Sequence, residues 1–331
     1  MNIVSLLSGK VFKTTENISL IEAAEQAGLV LPYSCKNGRC CTCKCKIIGP
    51  TKVIFDEMGL TKDERKNGWK LACARVATGN VSLDIEDLSN IKFPKPKLVP
   101  AKINTLEFLS TDILKVTLRL PPGNNFEFIE GQYIDLIGPK GVSRSYSLAR
   151  HSDGMELELH IQRVTGGIMS NYLFDGAQVG DLLRINGPRG SFMLRHTPDT
   201  HIIFLATGTG IAPIKAMIEH MENMPKELKP KSVKVYWGVR KQEDLYWNPC
   251  DVSDDLDFIP VLSRSDHTWS GARGYVQDVM MQKQADFENV QVYACGSDAM
   301  IRSSRAKIEF KNIKIKDFFS DAFVASGNER S

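Results

Sequence analysis

No apolar run in this 331-residue chain approaches the length of a membrane span, and the opening MNIVSLLSGK has neither a basic leader region nor a small-residue cleavage site. A cytoplasmic protein with no membrane partner is expected. No Lys/Arg block is long enough to act as a polyanion-binding tail, and the net charge is only +3. That excludes the basic footprint of a nucleic-acid binder, so partners have to be read from sites. Internal repeats and low-complexity segments are missing too. Nor are the cysteines spread as in a secreted disulfide scaffold. Six of the eight lie between Cys35 and Cys73, with Cys40, Cys41, Cys43 and Cys45 packed together, which points to metal ligation in a reducing compartment.

What is present is an ordinary globular composition, 42% hydrophobic and 24% charged. The length exceeds what one core usually organises, and three units are expected. In residues 1–90, strand-like stretches around Ile3–Leu7 and Lys10–Lys13 meet at Ser8-Gly9 as in a tight hairpin. A helix follows, with Leu20, Ile21, Ala23, Ala24 and Ala27 at helical spacing, a Ser19/Glu22 capping box and Gly28 as the stop. Residues 91–100, IKFPKPKLVP, carry three prolines and three lysines and suit an extended, semi-rigid linker. Residues 101–198 alternate in segments such as Ile113–Leu120, Tyr133–Ile137 and Met155–Val164, split by Pro/Gly turns, which suggests an antiparallel β-barrel. From residue 199 to 331 apolar strands alternate with helical stretches, the pattern of an open parallel α/β sheet. The fold class expected is therefore multidomain, α+β and α/β.

Cys35, Cys40 and Cys43 stand at C-x4-C-x2-C spacing with Cys73 further on, the plant-type ligand pattern for a [2Fe-2S] cluster. Four thiolates must hold two irons, and the loop must turn sharply enough to aim backbone N–H groups at sulfur; Gly38 suits such a turn. A structural zinc site would normally use paired C-x2-C knuckles, and only one is present. Cys41 and Cys45 read as small residues packed beside the loop. With SCKNGRCCTC and LACAR in place, residues 1–90 resemble the plant-type ferredoxins, which implies a β-grasp fold. They differ in charge: 12 Lys+Arg face 10 Asp+Glu, and Lys36, Arg39, Lys44 and Lys46 surround the ligands. An acidic partner surface that reads this face, with steep salt weakening, is the expectation.

Arg144-Ser145-Tyr146-Ser147 offers a cation for a phosphate, a ring for a flat heterocycle and hydroxyls to hydrogen-bond it. Taken alone, it reads equally as a strand with a surface arginine. Gly166-Gly167-Ile168-Met169-Ser170 opens a helix-like segment, where free N–H groups suit a diphosphate. GPRGSF then closes the barrel. Gly208-Thr209-Gly210-Ile211-Ala212-Pro213 follows a buried-looking strand and precedes a helix, the setting a phosphate-binding turn requires. Tyr236–Arg240 and Cys295-Gly296-Ser297 mark later strand ends, where ligands of open α/β sheets sit.

RSYS, GGIMS and GPRGSF in this order resemble the flavin domain of the ferredoxin-NADP+ reductase superfamily, and the likeness runs to the end of the chain. It implies FAD, with Arg144 on its phosphates, Tyr146 on the isoalloxazine, Ser147 near the reactive edge, Ser145 among the binding residues, and the Gly167 to Ser170 turn, with Gly167, Met169 and Ser170, on the diphosphate. It also implies an NAD-binding domain in which Gly208, Thr209, Gly210, Cys295 and Gly296 hold the nicotinamide dinucleotide and Cys295 positions the hydride donor. Asp298 stands where the family often has proline. Phe323 matches the aromatic that shields the flavin, and a core reading of Phe318, Phe319 and Phe323 competes with it. NADH is favoured by analogy, NADPH remains open, and Arg240 and Lys241 suit either a 2′-phosphate or solvent.

The ferredoxin-first order is shared by reductases of bacterial aromatic-ring oxygenases and by CDP-6-deoxy-glucoseen reductases of 3,6-dideoxyhexose synthesis for surface polysaccharides. YWGVR with DLYW, YACGS and FFSDAFVASGN resemble the latter more closely. That resemblance implies an iron–sulfur flavoprotein oxidoreductase in lipopolysaccharide (O-antigen) biosynthesis. Its partner would be a pyridoxamine phosphate-dependent CDP-4-keto-6-deoxyglucose 3-dehydrase, with an oxygenase component as the alternative.

Overall fold

The computed structural model describes residues 1–150, 155–284, 287–311, 313–315 and 317–323. It separates into two compact units. Among the described residues, the first comprises Met1–Lys92, Gly190–Phe192 and residues 320–323, and the second Phe93–Arg189 and Met193–Phe319.

In the first unit, β1 (Asn2–Leu6) and β2 (Val11–Thr14) form the expected hairpin, with Gly9 at φ 85° in the turn. α1 (Leu20–Gln26) carries the expected box: Glu22 N–H donates to Ser19 Oγ at 3.2 Å and Ser19 N–H to Glu22 Oε2 at 3.0 Å. Such a cap contributes about 1 kcal/mol. Burial of Leu20 and Ile21 contributes about 1.5–3 kcal/mol for each side chain. The remaining elements are β3 (Lys44–Ile48), β4 (Thr51–Val53), α2 (Lys62–Lys66), β5 (Trp69–Leu71), β6 (Arg75–Ala77) and β7 (Val81–Asp84). The main sheet runs β2-β1-β7-β3-β5, with β7 parallel to β1 and the other pairs antiparallel. This is the β-grasp arrangement.

In the second unit, β8 (Lys97–Ser110), β9 (Ile113–Arg119), β10 (Tyr133–Ile137), β11 (Ser143–Ser147), β12 (Glu156–Gln162) and β13 (Leu182–Arg189) form an antiparallel sheet ordered β11-β10-β13-β8-β9-β12. A Leu148↔Leu159 bridge and the Ala149 N–H to Glu158 O bond of 2.8 Å join its two edges and close the barrel. The spacer is shorter than the sequence suggests, because Lys97–Pro100 already belongs to β8 and pairs with β13. β9 ends opposite Lys102, so Pro100 lies where β8 has a neighbour on one side, a position its missing N–H tolerates. Between β12 and β13 lies α3 (Ile168–Asn171).

The same unit continues through β14 (His201–Thr207), α4 (Ile211–Glu222), β15 (Ser232–Val239), β16 (Leu256–Leu262), β17 (Ala272–Arg273), α5 (Val276–Lys283), β18 (Val290–Ser297), α6 (Asp298–Phe310) and the first half of β19 (Asp317–Phe323), whose residues from Ser320 are counted with the first unit. The sheet order is β17-β16-β15-β14-β18-β19. β14 is parallel to both β15 and β18, so the chain reverses its direction of travel across the sheet at β14. The carboxyl ends of β14 and β18 therefore flank a topological switch point, the place where open α/β sheets bind ligands. No helix among the described residues is long and apolar enough to cross a membrane.

Candidate functional site

The loop after α1 brings the four expected cysteines together as two pairs. Cys35 and Cys40 exchange backbone N–H to Sγ contacts of 3.4 and 3.5 Å, and the Cys43 and Cys73 thiols are within hydrogen-bonding reach of each other. Cys40, Cys43 and Cys73 are buried. Hydrogen bonding from the Cys35 thiol pulls Cys40 down, while the Cys73 thiol and burial push Cys43 up. Among the described residues no three His, Cys, Asp or Glu side chains converge as they would on a single ion. Two thiol pairs suit a [2Fe-2S] cluster, which these four cysteines would hold and which would supply one-electron carriage; a single zinc ion would gather all four. Gly38 lies at φ 77°, and a Cβ there would meet Asp56 O at 2.4 Å. Cys41 and Cys45 pack into the surrounding core, and burial pushes the Cys45 thiol up to about 12.

Two of the four collar cations, Lys36 and Lys44, are neutralised within the unit. Lys36 pairs with Glu25 and Lys44 with Glu64, both at 2.6 Å, while Lys46 donates to Asn67 O and lies over the Trp69 ring. Arg39 keeps no ion pair among the described residues, so the positive face expected from composition shrinks to a fraction of its count. Sequence reasoning also missed how the loop is held. Tyr33 N–H donates to Ser191 Oγ at 2.8 Å, Ser191 N–H to Tyr33 O at 3.0 Å, Ser34 Oγ to Asp321 Oδ1, and Thr42 Oγ1 to Ser320 O at 2.8 Å. Ser34 and Thr42 each adjoin one of the four paired cysteines.

On the barrel, β11 presents Arg144, Ser145, Tyr146 and Ser147 opposite Leu136, Asp135, Ile134 and Tyr133 of β10. Ser145 Oγ donates to Asp135 Oδ1 at 2.6 Å, and the Arg144 guanidinium donates to Ser143 O at 2.7 Å. Burial pushes the half-buried Tyr146 phenol up, so it is neutral at any ordinary pH. Ser147 is buried, at 7% exposure. α3 starts at Gly167, and its first internal bond runs from Asn171 N–H to Gly167 O at 2.8 Å, so the amides of Ile168, Met169 and Ser170 precede the ladder. The side chains of Met169 and Ser170 turn inward, and Ser170 Oγ accepts from Val164 N–H at 2.8 Å. It is their backbone that suits a diphosphate, together with the arginine on β11.

In the parallel sheet, Gly208–Gly210 forms a tight turn between β14 and α4. A Cβ on Gly210 would meet Cys295 O at 2.3 Å, and one on Gly296, at φ 127°, would meet Thr207 Oγ1 at 2.3 Å. These two glycines let the ends of β14 and β18 abut. Thr207, unforeseen from sequence, accepts from Ser297 N–H at 2.9 Å. Ser297 caps α6 and Asp298 is its first residue, paired with Arg302 at 2.7 Å. A first-turn acid complements the helix dipole at a position where proline also fits, so Asp298 leaves the turn intact. Cys295 is fully buried. Phe319 packs against Tyr293 and Arg195, and Phe318 against Arg305, as core residues do. Phe323 ends β19 with 37% of its surface exposed.

Family models for a 2Fe-2S iron-sulfur cluster binding domain, an oxidoreductase FAD-binding domain and an oxidoreductase NAD-binding domain match residues 7–78, 100–194 and 204–306. The CDP-6-deoxy-L-threo-D-glycero-4-hexulose-3-dehydrase reductase of Yersinia pestis is 35% identical over 96% of this chain and 97% of its own. Protein RfbI of Salmonella typhimurium is 35% identical over 96% of this chain and 94% of its own. Among solved structures, the Amycolatopsis cytochrome P450 reductase GcoB superimposes with a TM-score of 0.75 at 26% identity, covering 99% of this chain and 100% of that one. The fold and its three domains are those of an NAD(P)H-dependent iron–sulfur flavoprotein reductase, built for a [2Fe-2S] cluster, FAD and a nicotinamide dinucleotide. The chain belongs to the family of the CDP-6-deoxyhexulose-3-dehydrase reductases.

Proposed function

We propose that this reductase takes electrons from NADH and delivers them, through FAD and the [2Fe-2S] cluster, to a pyridoxamine phosphate-dependent CDP-4-keto-6-deoxyglucose 3-dehydrase in the cytoplasm. The observation that carries the reading is 35% identity to a dehydrase reductase along 96% of the chain. Its working parts are residues 1–90, a linker from 91 to the start of β8 at Lys97, the barrel from there to 198 and the sheet domain from 199. Cys35, Cys40, Cys43 and Cys73 hold the cluster. Arg144, Ser145, Tyr146, Ser147, Gly167, Met169 and Ser170 hold the flavin, and Gly208, Thr209, Gly210, Cys295 and Gly296 hold the dinucleotide. When bound, the flavin supplies the conversion between two-electron and one-electron chemistry, and the cluster supplies one-electron carriage. A cluster of this type lies near about −400 mV, so the final acceptor has to draw electrons onward. The chain's own residues orient the reactants: Ser147 lies at the edge where the hydride arrives and Cys295 positions the donor.

The likeness to a cytochrome P450 reductase favours one second reading, delivery to an oxygenase component. Anaerobic reduction of the purified holoenzyme with NADH, followed by visible absorbance and EPR, separates the two. Flavin and cluster signals that bleach and then recover on adding the dehydrase with its CDP-sugar are the expected result. Recovery only with an oxygenase component would replace the dehydrase as acceptor, and absence of any bleaching would overturn both.

A further inference from the structure

Along β12 the side chains alternate: Leu157, Leu159 and Ile161 enter the barrel core, whereas Glu158 and His160 point the other way. An outward strand residue would ordinarily meet water, yet the His160 side chain is 2% exposed. Both of its ring nitrogens are engaged, Nε2 with Glu158 Oε1 at 2.8 Å and Nδ1 with the Tyr246 hydroxyl at 3.1 Å. Glu158 Oε1 also accepts from Lys215 Nζ on α4 at 3.1 Å, and Lys215 reaches Ala149 O, just past the RSYS strand, at 3.1 Å.

The polarity of this chain follows from charge. Hydrogen bonds from His160 and the ammonium of Lys215 overcome burial and hold Glu158 down at about 2, while burial lowers His160. The imidazole is therefore neutral; its Nε2–H donates to the carboxylate, and the remaining lone pair on Nδ1 accepts the Tyr246 proton. Tyr246 in turn meets Trp237 edge-on, with ring centroids 5.0 Å apart at 83°. The Trp237 indole donates to Gly208 O at 2.9 Å. At the far end of β12, Gln162 Oε1 lies 3.6 Å from where a Cβ on Gly208 would stand.

We infer that His160 and Tyr246 are positioning residues of the nicotinamide site: through Trp237 they fix the Gly208 carbonyl, and with it the glycine turn, relative to strand β12 of the flavin barrel. The inference rests on the reading that the Gly208–Gly210 turn binds the dinucleotide. Two directional hydrogen bonds, from the Tyr246 hydroxyl to His160 and from the Trp237 indole to Gly208 O, are joined by the edge-on Tyr246–Trp237 ring contact, whereas an apolar seam alone would let the turn slide. Hydride transfer responds to such slippage, since a misplacement of about 1 Å costs up to about a hundredfold in rate.

The test uses holoenzyme carrying Tyr246→Phe, which removes one oxygen and keeps the ring against Trp237. Titration with the non-reducing analogue tetrahydro-NADH reads the flavin–nicotinamide charge-transfer absorbance, and stopped-flow with NADH and its C4-deuterated form reads the limiting rate of flavin reduction and its isotope effect. The expected result is a weakened charge-transfer band and a limiting rate about tenfold lower, with analogue affinity and cluster EPR unchanged. A lower melting temperature with band, rate and isotope effect all unchanged would make the linkage merely structural and overturn the inference. Should Tyr246→Phe not fold, Trp237→Phe removes the last donor in the chain and is read the same way. Wild-type protein that binds no analogue would sink the reading of the glycine turn itself, a failure visible before any substitution is made.

Discussion

The cysteine loop and the seam around His160 both bury polar groups, and they differ in how the chain brings those groups together. The loop takes three of its four thiols from nine consecutive residues, Cys35 to Cys43, so backbone turns alone set most of the geometry. The seam draws Glu158 and His160 from a barrel strand, Lys215 from a helix and Tyr246 from a loop, and exists only once the second unit has packed. A local site has to be encoded residue by residue, whereas a seam is encoded by the fold. The first is drawn largely from one segment and tied down by Ser191, Ser320 and Asp321, whereas the second depends on everything that positions its parts.

Removing a ligand breaks the loop most completely. Cys73→Ser should abolish the visible and EPR signals of the cluster while NADH still bleaches the flavin; loss of flavin reduction as well would show that the two regions do not stand independently. A smaller effect is expected from the ion pair that backs the loop. Glu57 accepts from Arg75 at 2.7 and 2.8 Å and from Leu71 N–H at 2.7 Å, with its side chain 6% exposed. Glu57→Ala leaves the arginine without its carboxylate and should cost about 3–5 kcal/mol in a denaturant titration.

Smallest, and confined to the seam, is its pH dependence. Glu158 in the folded protein titrates at about 2 against an ordinary 4.5, so it contributes stability above the ordinary value that is lost as pH falls toward 2. His160 is also lowered from 6.5, and a base held neutral loses its contribution in the same direction, as pH falls below 6.5. Both therefore favour the folded state near neutrality. At about 1.4 kcal/mol per pH unit of difference, Glu158 accounts for up to about 3 kcal/mol. Melting curves from pH 7 to 3 should decline, and less steeply for Glu158→Gln; equal slopes would remove the seam from the acid response.

The same contrast explains what could be read from sequence. The gathering of the loop cysteines, the Ser19/Glu22 cap, the Ser8-Gly9 hairpin and the glycine turn after β14 were legible because each is a short run whose residue types serve one local conformation. Lys36 and Lys44 misled a reading by charge count, because Glu25 and Glu64, their partners, are 11 and 20 residues away in sequence. Pro94, Pro96 and Pro100 marked an extended segment but not where it joins the barrel, which depends on β13 more than eighty residues later. His160 reads as one polar residue in an alternating strand, and only the covering helix and loop make it buried. Thr207 and Trp237 act through backbone atoms of other strands, which no spacing announces.

The residues 190–192 bear on how chains of this kind can be recombined. Cutting at the proline-rich segment would not free an intact iron–sulfur unit, because Tyr33 would lose Ser191 and Ser34 would lose Asp321, side chains supplied from beyond the barrel and from the last strand. The N-terminal piece is not an interchangeable cartridge. A graft onto another reductase has to carry Ser191, Ser320 and Asp321 with it, so the unit of exchange is a set of surfaces rather than a stretch of gene.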